Sequence, residues 1–217
     1  MIFVLIILGC ITHGFLSFKA KSRLIFSSNL HSSLITAAER GNDEGCKALI
    51  DKGVNLNMKN KDGRTALMIC AEKRNYQICT ALIDKGKGMG LQLDSKDNLG
   101  NTALLISAYL GRERIAKYII LAGADVNVKN NNWCTALIVT SYLGQENIAK
   151  ALLDNEAELN VKYKRGNYTA LIFATVKDHS KIVLALIKKG AELDIQVVYL
   201  IKSRRPKTTR SILYKSY

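Results

Sequence analysis

The triplet Thr-Ala-Leu occurs at Thr65, Thr102, Thr135 and Thr169, in steps of 37, 33 and 34 residues. One step of 33 back from Thr65 falls on Ser32, where "SSLITAAERG" stands in place of "TALMICAEKR" and "TALIFATVKD". The second halves align too: "CKALIDKGVNLN", "CTALIDKGKGMGLQLD", "AKYIILAGADVN", "AKALLDNEAELN" and "VLALIKKGAELD". Five registered copies of so short a unit restrict the possible folds severely. No copy can enclose a core alone, so each must cover its neighbour's apolar face in a stack.

Each unit reads as two short helices. In the copy that opens at Thr102, the hydroxyl is a good N-cap because it can accept a free first-turn amide. Leu104, Ile106 and Ala108 form the apolar body, and Gly111 stops it. Ile115, Ala116, Ile119 and Ile120 then repeat at helical period and predict one broad apolar face. Gly123 ends this second helix, and "ADVNVKNNN" is a polar connector rich in turn residues.

These phrases resemble the ankyrin repeat, with its T-P-L-H-x-A-A-x-x-G-H start, I-V-x-L-L-L helix and G-A-D-V-N end. "GADVN" stands whole at Gly123–Asn127. The resemblance covers residues 31–196, in units of about 31–61, 62–99, 100–132, 133–165 and 166–196. It implies an all-α solenoid of stacked helix-turn-helix units. Short β-turn fingers project from one edge, and the first helices line a concave face.

The departures carry their own expectations. The phrase's Pro is Ala66, Ala103, Ala136 and Ala170, and Ser33 in the first unit. Its His is replaced by Ile35, Met68, Leu105, Ile138 and Ile172. The hydrogen bonds that His would make between units are lost, so the stack is expected to rely on apolar packing rather than a polar network. Glu156 replaces a helix-stopping Gly, which predicts a looser turn. Trp133 and Asn167 replace the finger glycines Gly63 and Gly100. The insertion "GKGMG" at Gly86–Gly90 lacks the strand and the Lys-Ser/Thr of a phosphate-binding loop, so it reads as a lengthened connector.

Charge is concentrated at the ends. Residues 33–196 carry 23 Lys/Arg against all 18 Asp/Glu, while the first 32 residues hold three basic groups, the last 21 hold six, and neither end holds an acid. Basic ends favour anionic partners such as lipid head groups or nucleic acid. "MIFVLIILGCI" at the start has the length of a leader core and is short for a membrane span. Lys19, Lys21 and Arg23 after it suit an anchor, so residues 1–30 read as a leader or anchor with a basic linker. Residues 197–217 read as an apolar cap, "VVYLI", with a basic tail, "KSRRPKTTR".

Catalytic and metal chemistry find no foothold. The three His residues and five Cys residues show no CxxC spacing, no HExxH, no GxSxG and no paired-carboxylate motif. Cys46, Cys70 and Cys79 fit the repeat as core substitutions, and their spacing does not suggest a disulfide framework. Cys134 lies at a finger and is expected to be exposed. The chain reads as a monomeric non-enzyme with no cofactor, no metal and no small-molecule substrate.

The ankyrin resemblance implies a protein partner, held by the fingers and the outward end of each first helix. The matching positions here include Glu72 and Lys73, Tyr109 and Leu110, Tyr142 and Leu143, with Arg64, Asn101, Trp133 and Tyr168 on the fingers. Units in register should bring the two Tyr-Leu pairs into one amphipathic patch, with Trp133 and Tyr168 alongside. Tyr and Trp suit this role because they offer large contact area with few rotors. The alternative is that the tyrosine rings pack on neighbouring helices as structure. A protein-binding scaffold is the principal reading. A regulator placed at membrane or nucleic acid by its basic ends is the alternative.

Overall fold

The computed structural model describes residues 34–193. The leader or anchor assigned to residues 1–30 and the cap and tail assigned to 197–217 lie outside these residues. The described chain forms five antiparallel helix pairs: α1 (34–40) with α2 (Asp43–Asp51), α3 (Ala66–Glu72) with α4 (Tyr76–Gly86), α5 (Ala103–Tyr109) with α6 (Glu113–Leu121), α7 (Ala136–Leu143) with α8 (Glu146–Asp154), and α9 (Ala170–Val176) with α10 (Ser180–Lys188). No strand occurs among the described residues; the fingers are turns.

The repeated threonine sets the start of every first helix from α3 onward. Thr65, Thr102, Thr135 and Thr169 accept the amides of Met68, Leu105, Ile138 and Ile172 at 3.5, 3.2, 3.3 and 3.4 Å. Each such bond satisfies a donor that the helix itself leaves free. The caps are buried, so leaving those donors unpaired would carry a desolvation cost as well.

First helices stack on first helices, in the order α3, α5, α7, α9. Second helices stack as α2, α4, α6, α8, α10. The seam between the two rows is the core. It holds Leu67, Leu104, Leu137 and Leu171 from the first helices, and Leu82, Ile119, Leu152 and Leu186 from the second. In α6 the buried residues are Ile115, Ala116, Ile119 and Ile120, the face that the helical period predicts. Met68, Leu105, Ile138 and Ile172, which stand for the phrase's His, are all buried in the stack.

Polar bonds between units are nevertheless abundant, contrary to expectation. They lie outside the helical seam. Asn57, Asp94, Asn127 and Asn160 each use side-chain Oδ1 to accept an amide from the next unit, from Gln92, Asp125, Glu158 and Glu192. On the fingers, the amides of Asn98 and Asn131 donate to the carbonyls of Asp62 and Leu99 in the preceding unit. The Nδ2 groups of the same asparagines donate to Lys61 and Asn98. Apolar side chains join the helices, while asparagines and Asp94 stitch the connectors.

Two further expectations are corrected. Cys70 and Cys79 form a disulfide between α3 and α4 of one unit. Their sequence spacing hides the pairing, because only the antiparallel packing of the two helices brings the side chains together. Glu156 does not loosen its turn: it holds φ 59°, close to the 71° of Gly53. Its carbonyl also accepts Asn127 Nδ2 at 3.4 Å, which ties the turn to the preceding unit.

The "GKGMG" insertion extends α4 and adds a 3-10 turn over Lys87–Met89, closed by Gly90 at φ 72°. It is a lengthened connector, as read from the sequence.

Candidate functional site

The helix-ending positions of α5 and α7 and the fingers in front of them enclose a groove of about 680 Å³. Its floor and walls include Leu105, Ile106, Val139 and Phe173 from the first helices, and Leu99 from a finger. Seven of the residues expected to bind a partner line it: Arg64, Glu72, Asn101, Tyr109, Leu110, Tyr142 and Leu143. Register produces this convergence. The same helix end recurs one repeat later, so the two Tyr-Leu pairs come side by side.

The two tyrosines differ in their support. Tyr109 is 67% exposed, and its ring meets no other aromatic ring among the described residues. Tyr142 is 45% exposed. Its ring meets Phe173 edge to face at 5.6 Å, and Lys177 Nζ lies 4.4 Å from its centroid. Tyr142 is therefore partly a packing residue, whereas Tyr109 is presented to solvent.

Polar groups mark the groove's margin. Arg64 Nη1 donates to Glu72 Oε2 at 2.7 Å. Asn130 Nδ2 donates to Asn101 Oδ1 at 2.9 Å, which fixes the Asn101 amide. Cys134 also lines the groove, half-buried rather than exposed as expected. Burial pushes its thiol up to about 11, so it is not an activated nucleophile at neutral pH.

Three expected residues stand apart from the groove. Lys73 caps α3 and is exposed, but does not line the cavity. Tyr168 is half-buried and packs on Phe173 at 5.3 Å from outside it. Trp133, 57% exposed, lines a different, shallow pocket with Lys129, Glu158, Leu159, Asn160, Val161 and Lys162.

Phe173 and Tyr163 were missed by sequence reasoning, and both line the groove. Each had a signal. Phe173 stands where the other units carry Ile69, Ile106 and Val139, and Tyr163 stands where fingers carry Asn60, Asp97 and Asn130. An aromatic that breaks a repeat at a fixed position is worth marking in any such chain.

A family model described as ankyrin repeats, three copies, matches residues 34–130 and 118–197. The chain belongs to the ankyrin-repeat family. That model holds three copies, fewer than the five read from the sequence; the number five rests on the helix pairs among the described residues. No curated protein matches the chain. Ankyrin repeats generally mediate protein–protein interaction and are typically non-enzymatic modules. Among the described residues, no group of three His, Cys, Asp or Glu side chains could hold a metal ion, and no helix is long and apolar enough to cross a membrane. In this ankyrin array the groove gathers four of the exposed large apolar and aromatic residues, Leu99, Tyr109, Tyr142 and Leu143.

Proposed function

We propose that the protein is an interaction module whose concave groove binds a segment of a protein partner. The observation that carries this reading is the pairing of Tyr109-Leu110 with Tyr142-Leu143 across neighbouring units, open to solvent over an apolar floor. A partner's apolar side chains would enter between the two tyrosine rings. The Arg64–Glu72 pair and the Asn101 and Asn132 amides would meet polar groups at its edge. Rigid aromatic anchors suit this task, because little side-chain entropy is lost on binding.

The test selects ligands from a displayed peptide library against the full chain. Peptides dominated by aromatic or aliphatic anchors, weakened at least tenfold by Tyr109→Ala, support the reading. Selected peptides that bind Tyr109→Ala and Leu143→Ala as well as the unaltered chain would reject the groove.

A further inference from the structure

The fourth finger breaks the pattern of the first three in several ways at once. In those three, Asn60, Asp97 and Asn130 each close the turn by accepting two amides of their own finger. Tyr163 takes that place in the fourth, which is one residue longer, closing from the Tyr163 amide to the Tyr168 carbonyl. The inter-unit ladder reaches Lys164, whose amide donates to the Asn132 carbonyl at 3.2 Å. Asn98 and Asn131 at this register also donate a side-chain amide backward; Lys164 cannot continue that bond in kind. Lys164 stands where Asn98 and Asn131 stitch, at the register of Lys61 in the first finger. Lys162 continues the register of Lys59, Lys96 and Lys129, whose side chains reach the carbonyls of Lys96 and Lys129 and the carboxylate of Glu158. Lys162, Lys164 and Arg165 are exposed, and their side chains have no hydrogen-bond or ion-pair partner among the described residues.

The preceding finger breaks the pattern at the adjoining position. Gly63 and Gly100 hold left-handed turns, and a Cβ on Gly100 would stand 2.8 Å from the Asn131 backbone nitrogen. At the matching place the third finger carries Trp133, at φ 58°. A bulky side chain in this region costs about 1–2 kcal/mol, yet the indole is not used for packing: it is mostly exposed. It borders a shallow pocket of about 560 Å³ with Lys162, and with Glu158, whose carboxylate is already met by Lys129 at 3.0 Å. Tyr163 gains a ring contact with Phe173 at 6.0 Å, but Trp133 holds a left-handed position while staying mostly exposed, and a local rule broken in that way points to function.

From this juxtaposition we infer that Trp133, Lys162, Lys164 and Arg165 form a second binding surface, separate from the groove, for single-stranded nucleic acid. An exposed indole offers a base a stacking face, and unpaired cations within four residues of each other offer phosphates their counter-charges. An acidic peptide would satisfy the cations and leave the indole unused. A duplex keeps its bases stacked internally and cannot use the indole either.

Trp133 is the chain's single tryptophan, so its fluorescence reports this site alone. The full chain is titrated with a dye-labelled single-stranded oligonucleotide of about ten nucleotides, within the usual site size, and affinity is read from the dye's anisotropy so that variants lacking the indole are read alike. Stacking quenches the indole emission. Trp133→Gly, which suits the left-handed turn and so keeps the fold, is expected to lower affinity about tenfold; Trp133→Phe retains most of it. The double variant Lys164→Ala with Arg165→Ala is expected to reduce the slope of log affinity against log salt by about 1.4, at about 0.7 per phosphate contact on a single strand. Binding without quenching, undiminished by Trp133→Gly, would place the contact on other basic surface and overturn the inference. So would absence of binding, or equal quenching by polyglutamate or by a duplex of the same length.

Discussion

Tyr142 meets Phe173 edge to face, with ring centroids 5.6 Å apart and planes at 89°, whereas Tyr109, the same residue one repeat earlier, meets no aromatic ring among the described residues. Phe173 accounts for the difference. The first helix of the next unit, α9, offers Tyr142 a ring, while α7 offers Tyr109 only Val139 at the equivalent position.

The two tyrosines should therefore separate stability from binding. Tyr142→Ala loses an aromatic pair worth about 0.5–1.5 kcal/mol beyond buried area, and should lower the urea midpoint accordingly. Tyr109→Ala should stay within about 0.5 kcal/mol of the unaltered chain while weakening a groove-bound peptide. Equal loss of stability in both variants would contradict the assignment of Tyr109 as a free anchor.

The disulfide predicts a labelling pattern. Alkylation in guanidinium without reductant, followed by peptide mass spectrometry, should modify Cys46 and Cys134 and leave Cys70 and Cys79 unmodified. Reduction should open the pair and cost about 2–3 kcal/mol of unfolding free energy for so short a loop. Labelling of Cys70 and Cys79 without reductant would show that the two sulfurs are not joined.

Thiol reactivity gives a pH profile with a definite sign. Among the described residues, burial raises the free thiols of Cys46 and Cys134 to about 11 from the ordinary 9.0, with Asp43 adding to the rise at Cys46. The folded state thus resists forming the thiolates. Stability is expected to be undiminished by these groups below pH 9 and to fall as pH rises toward 11, because the unfolded chain loses its thiol protons first. Native-state alkylation of Cys134 should likewise be slow at pH 8 and climb steeply toward pH 11. A flat rate above pH 9 would show an ordinary exposed thiol.

Glu156 occupies a left-handed position that glycine fills in other units. Its carbonyl bond to Asn127 is made by the backbone and survives substitution. Glu156→Gly should therefore leave the fold intact and raise stability by up to about 1 kcal/mol, as relieved strain slightly exceeds the extra unfolded-state entropy. A lowered urea midpoint would show that the glutamate side chain contributes something beyond the turn.

Much of this architecture can be read along the chain, because its causes are local. A threonine accepts an amide three residues on, an apolar face repeats with the helix, and glycine ends the element whatever lies elsewhere. Thr65, Thr102, Thr135 and Thr169 mark four helix starts for this reason, and Ile115, Ala116, Ile119 and Ile120 declare the buried side of α6. Register between units follows from the period, which is why Tyr109-Leu110 and Tyr142-Leu143 could be expected to share one face.

Contacts between units depend on direction and depth, which no spacing records. Trp133 and Tyr168 belong to the same finger edge as Arg64 and Asn101, yet one borders a separate pocket and the other lies against Phe173. Cys70 and Cys79 meet because two helices turn back on one another. Asn57, Asp94, Asn127 and Asn160 look like ordinary turn residues until the next unit's amide arrives at each. The period settles what each unit is; the stacking distance between units settles which side chains it leaves free to bind.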